Sequence, residues 1–155
     1  MIKINLYGGP SSGKSTLAAQ IYADFKLRSL KVELVQEYAK ELVYQNHDMR
    51  LLTESERIII LGEQFRRERI LKNSVDYLVT DSPMLLTAYF HPYDYAVDIV
   101  KRHIKPSEFH FWVVRPKNFE VDGRSHDEEQ SKQIDKEMKT FLSEIEGLKL
   151  HIVDG

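Results

Sequence analysis

Gly8-Gly9-Pro10-Ser11-Ser12-Gly13-Lys14-Ser15 places two glycines around a short intervening run and follows them with a lysine and a hydroxyl side chain. This is the GxxxxGKS spacing of a loop that wraps a polyphosphate. A triphosphate tail needs several backbone N–H groups turned inward, and Gly8 and Gly13 allow the angles and the close approach this requires. Pro10, Ser11 and Ser12 form the body of the loop between them. A helix opening at Lys14 and running through Ser15 and Thr16 adds N–H groups with no partner in the helix, together with the positive end of its dipole. Lys14 then reaches the β- and γ-phosphates, and the Ser15 hydroxyl is a ligand for Mg²⁺ bridging the same groups. The spacing points to a nucleoside triphosphate without naming it or its fate.

Such a loop works only between a strand and a helix. Ile2, Ile4, Leu6 and Tyr7 form the strand, and an amphipathic helix is predicted from Lys14 to Arg28. Lys31 to Gln36 reads as a second strand ending on Glu37, and Ser74 to Thr80 as a third ending on Asp81. Phe109 to Val114 and Leu148 to Val153 read as the last two. Helices are predicted over Glu37 to Gln45, Thr53 to Lys72, Pro83 to Phe90, Pro92 to His103 and Asp127 to Ile145, with a capping box at Thr53 and Glu56. Alternating strands and helices predict an α/β three-layer sandwich with a five-stranded parallel sheet, as one P-loop domain over residues 1–155. Ligands of such sheets gather beyond the carboxyl ends of the strands, so Glu37, Asp81 and Arg115 are expected on the same rim as the loop.

Phosphoryl transfer asks the protein for a metal, cations around the moving group and an acceptor held in line beside a base. Asp81 has the position of a metal-holding acid, and Glu37 of a carboxylate that takes the acceptor's proton. Both also suit helix N-termini, where acids are common for electrostatic reasons alone. Residues 115–127 are too long and polar for a minimal connection, and Arg115 and Arg124 are expected to fold over the phosphates from this segment as a lid. A solvated loop whose arginines pair with Asp122, Asp127 or Glu128 is the plainer alternative. Tyr38, Gln64 and Arg67, with Phe65 and Tyr89, offer an amide and aromatic faces for a nucleoside-like acceptor, although such residues are commonly core or surface.

Composition narrows the rest. With 22 Lys and Arg against 24 Asp and Glu, the formal charge is −2, so no global basic field draws the chain to nucleic acid. The absence of cysteine excludes disulfides and thiolate-bound zinc and suits the cytoplasm. No apolar run is long enough to span a membrane, and the first residues lead directly into a strand, so neither an anchor nor a signal peptide is expected. His91, His103 and His126 lack metal-ligand spacing and read as structural.

Taken together, these residues resemble the small P-loop kinases related to the ribosylnicotinamide kinase domain and its phage and bacterial relatives. The resemblance spans nearly the whole chain: residues 8–18, Glu37-Tyr38-Ala39-Lys40, Gln64, Thr80-Asp81-Ser82-Pro83 with Tyr89 after it, and Asp122-Gly123-Arg124. It implies ATP with Mg²⁺ as donor and a small-molecule nucleoside or nucleotide as acceptor. Lys14 and Ser15 would then hold phosphate and metal, Glu37 or Asp81 would serve acceptor or metal, Arg124 would close the lid, and the host cytoplasm would be the setting for a phage protein. Two alternatives stay open: a hydroxymethylated pyrimidine in DNA as acceptor, and a switch that hydrolyses nucleotide to reshape a binding surface. No NKxD pattern for guanine is present.

Overall fold

The computed structural model describes residues 1–45, 47–49, 51–91, 93–115 and 128–154. The chain runs β1 (Ile2–Tyr7), α1 (Lys14–Leu27), β2 (Val32–Val35), α2 (Tyr38–Tyr44), α3 (Glu54–Arg69), β3 (Tyr77–Thr80), α4 (Met84–Tyr89), α5 (Asp94–Lys101), β4 (Glu108–Val114), α6 (Glu128–Ser143) and β5 (Leu150–Asp154). The strands form one sheet in the order β2-β3-β1-β4-β5, and every pair in it is parallel. The expected α/β fold with a five-stranded parallel sheet is therefore the fold of this P-loop domain.

Both faces of the sheet are covered, and successive strand residues point to opposite sides. On one side Leu6, Val79 and Val113 pack with Ala18, Leu17, Ile21 and Phe25, the inward stripe of α1. On the other, Tyr7 and Trp112 pack with Leu61, Leu85, Val100, Met138 and Leu142 from α3, α4, α5 and α6. Adjacent residues of β1, Leu6 and Tyr7, thus belong to different cores, which makes the arrangement three-layered.

Element ends shift from the sequence expectation where turns intervene. After Arg69 the chain tightens, Lys72 N donating to Arg69 O at 3.2 Å and Ser74 N to Leu71 O at 2.9 Å, so α3 stops short of Lys72 and β3 starts only at Tyr77. Leu148 N still bonds to Ile145 O at 3.1 Å, which delays β5 to Leu150. The capping box is as read: Glu56 Oε2 accepts from Thr53 N at 2.7 Å and Thr53 Oγ1 from Glu56 N at 3.3 Å. Among the described residues no helix is long and apolar enough to cross a membrane.

Candidate active site

The loop between β1 and α1 is shaped for an anion. Gly13, at the head of α1, has φ 90, a left-handed angle that side chains resist. No side chain caps this helix and no acidic residue sits in its first turn, so its leading N–H groups stay available. Lys14 meanwhile folds back on the loop, its Nζ donating to Gly8 O at 2.7 Å and Gly9 O at 2.8 Å. Those carbonyls hold the ammonium beside the place where phosphate oxygens would replace them.

β3 lies directly against β1, with Thr80 opposite Asn5, and β2 lies against β3, with Val35 opposite Thr80. Glu37 and Asp81, just past these strand ends, therefore flank the loop. Asp81 is 7% exposed, and its Oδ1 is buried without a protein donor. Burial raises the Glu37 carboxyl above the usual range; Lys14 opposes this and Asp81 reinforces it. Burial likewise lowers the Lys14 ammonium, while Glu37, Asp81 and Asp135 push it back up. These groups feel one another because they share one low-dielectric corner.

An orphaned carboxylate oxygen at the strand end next to this loop fits Mg²⁺, which typically takes one or two protein carboxylates and completes its shell with water and phosphate. Among the described residues no three His, Cys, Asp or Glu side chains converge as a metal cage, and such an ion needs none. When bound it would neutralise phosphate charge.

A strut from α6 braces the loop from its other side. Asp135 accepts from Gly9 N at 2.7 Å with one oxygen and from Arg115 Nη2 at 2.9 Å with the other, while Arg115 Nη1 donates to Pro10 O. A Cβ on Gly9 would stand 2.3 Å from Asp135 Oδ1, so this approach requires glycine.

Beside Glu37 a half-open pocket lies between α2, α3 and α4. Its apolar walls include Met49, Ile60, Leu86 and Phe90, and Gln64, Arg57, Thr87 and His91 are among its polar members. A polyphosphate cradle and a second concavity thus meet at one carboxylate.

A family model described as an AAA domain matches residues 3–155. The chain belongs to this family. No curated protein matches the chain. Membership makes it an AAA-type P-loop domain that uses nucleotide, and Gly8, Pro10, Ser11, Ser12, Gly13, Lys14, Ser15 and Thr16 make up its loop between β1 and the start of α1.

Not all expected site residues of this AAA-type domain converge. Gln64 lines the pocket, yet it is only 1% exposed and its amide is occupied by main chain: Oε1 accepts from Tyr38 N at 3.2 Å and Nε2 donates to Ser82 O at 3.1 Å. It clamps α2 to the end of β3. Arg67 grips Glu41 with two 2.8 Å bonds and lies 4.8 Å from the Tyr38 ring centre, a strut between α2 and α3. Phe65 and Tyr89 pack against the core. Arg115 grips the loop's main chain, whereas Asp122 and Arg124 lie outside the described residues.

Asp135 and Arg57 escaped the sequence reading, which took His91 as structural. A signal existed for Asp135, a carboxylate within the inward stripe Ser131, Met138, Leu142 of α6. Arg57 and His91 come together only through the packing of α3 against α4.

Proposed function

We propose that the chain transfers the γ-phosphoryl group of ATP, with Mg²⁺, to a hydroxyl of a nucleoside-like or nucleotide acceptor seated in the pocket beyond Glu37. The observation that carries this reading is the position of Glu37, a half-buried carboxylate with a raised pKa that lines a second pocket and is close enough to Lys14 of the phosphate loop for the two to shift one another. A protein that only hydrolyses nucleotide needs no such space, and a transferase does.

In this reading Lys14 exchanges the Gly8 and Gly9 carbonyls for β- and γ-phosphate oxygens, whose charge restores the ammonium that burial disfavours. Glu37 accepts the proton of the acceptor hydroxyl as its oxygen bonds to the γ-phosphorus and the bond to the leaving diphosphate breaks. A carboxylate whose pKa is raised is a better proton acceptor than an exposed one. Asp81 and Ser15 hold the magnesium ion, and Asp135 with Arg115 fixes the loop's first turn.

Labelled ATP offered with a panel of nucleosides, nucleotides and ribosylnicotinamide tests the proposal. Transfer of label to an acceptor is expected, and its loss in Glu37→Gln. Release of free phosphate at a rate indifferent to every acceptor would replace this reading with that of a nucleotide-driven switch. Transfer to a hydroxymethylated pyrimidine only within a DNA strand would place the acceptor on a polymer, for which a chain of charge −2 provides no general electrostatic track.

A further inference from the structure

In the wall of the same pocket, polar capacity is unspent. His91 is 8% exposed, and neither of its ring nitrogens has a hydrogen-bond partner. Its ring is walled by Tyr93 and Tyr95, with centroids 5.4 and 5.3 Å away. Burial and then the neighbouring Arg57 disfavour the imidazolium, against the opposing pull of Glu54, which favours the neutral ring with one nitrogen to donate and one to accept. Arg57, also lining the pocket, spends one N–H on Met49 O at 3.2 Å and forms no ion pair among the described residues. The nearby carboxylate, Glu54, accepts instead from the Tyr95 hydroxyl at 3.1 Å.

Buried polar groups are normally satisfied, and a pair left open in a small, mainly apolar pocket marks where a ligand completes them. Arginine can only donate, so what faces Arg57 must accept. The histidine serves either a donor or an acceptor beside it. Phe90, Leu86 and Ile60, which also line the pocket, suit a flat ring.

We propose that the Arg57–His91 pair reads the edge of the acceptor's ring and selects an oxo-substituted base, the carbonyl and ring N–H edge of a uracil- or thymine-type nucleoside, over amino-substituted ones. The carbonyl oxygen takes an N–H from Arg57, and the adjacent ring N–H or second carbonyl pairs with His91. In the same orientation, cytosine and adenine would turn the amino group at C4 or C6 toward Arg57, setting donor against donor. This rests on the transferase reading above and names the acceptor class of the same site.

The test is steady-state transfer from labelled ATP to uridine, thymidine, cytidine and adenosine by the full-length protein and by Arg57→Met, Arg57→Lys, His91→Phe and His91→Gln. A KM for the oxo bases lower than for the amino bases by on the order of ten- to a hundredfold is expected. Arg57→Met should remove most of that difference through KM, leaving kcat and the KM for ATP little changed, and His91→Phe should act alike. Arg57→Lys and His91→Gln, which keep hydrogen-bonding capacity, should recover part of it, and separate lost recognition from lost folding. Equal KM values for the two classes, or a preference that survives both Arg57→Met and His91→Phe, would overturn this inference and leave the transferase reading standing. No product from any acceptor while ATP still binds would overturn both.

Discussion

Two polar clusters are buried against this sheet, and they treat charge in opposite ways. Along the first half of β1 and β4, Lys3 Nζ meets Glu68 at 2.5 Å and lies 3.7 Å from Glu108. Asn5 donates to Glu108 at 3.2 Å, and the Tyr7 hydroxyl lies 2.9 Å from His110 Nδ1. The ammonium there stands at contact distance from an opposite charge. At the carboxyl ends of β1, β2 and β3, Lys14, Glu37 and Asp81 are close enough to shift one another, yet among the described residues none of the three forms an ion pair. Charge withdrawn at least partly from water is common to both; what sets the rim apart is that its charged groups have no ionic partner at contact distance. A structural cluster pairs its cation with its own carboxylates, whereas a site keeps its charged groups in reserve for a ligand.

The largest effect expected from this contrast lies at Glu37. Glu37→Gln should lower phosphoryl transfer by about 10²- to 10⁴-fold, the usual worth of a positioned base. It should also raise the melting temperature. The sign follows from the raised pKa: the folded protein prefers protonated Glu37, so stability is greatest below the unfolded-state pKa and falls as pH rises through the folded one. At neutral pH a neutral amide is spared that cost. Thermal melts beside transfer assays check both halves, and a variant that loses stability while keeping activity would assign Glu37 to the structural class.

The opposite outcome is expected at Lys3. Lys3→Met leaves Glu68 and Glu108 without their cation, and breaking a buried pair in this way typically costs about 3 to 5 kcal/mol. Urea unfolding should show that loss, while the folded fraction binds ATP with unchanged affinity. A weaker ATP affinity with unaltered stability would erase the distinction between the two clusters.

Sequence made the rim legible and the other cluster invisible, for physical reasons. The phosphate loop is a local pattern, and Glu37 and Asp81 follow from a topological rule about strand ends, so both survive without coordinates. Lys3 and Asn5 alternate with Ile2, Ile4 and Leu6, a pattern that in isolation reads as one wet face and one dry face. In a three-layer fold neither face is wet, so the polar positions must find partners such as Glu68, Glu108 and His110, and only packing reveals them. The same holds for Gln64. Its amide was legible as a recognition group, but main-chain groups of Tyr38 and Ser82 claim it, and Arg57 and His91 stand with capacity to spare in the same pocket.

The smallest effect concerns pH and separates the clusters without removing a charge partner. Burial is the main reason that the His110 imidazole is held down to about 4; Lys3 and His151 lower it further, and Glu108 opposes them. In the unfolded chain it would titrate near ~6.5. The folded protein therefore resists a proton that the unfolded chain accepts, and this contribution is complete above ~6.5 and lost progressively as pH falls toward about 4. Its size is about 2 to 3 kcal/mol. Glu68 and Glu37, whose carboxyls are raised, work in the reverse direction at the acid end, so the difference between wild type and His110→Gln is the quantity to measure. The glutamine keeps a partner for the Tyr7 hydroxyl and does not titrate, so it should flatten the acid loss of stability between pH ~6.5 and ~4.5. Because His110 belongs to the self-paired cluster, the pH dependence of ATP affinity should be the same in both proteins; a His110→Gln variant that alters it would show that the two clusters are coupled through β1.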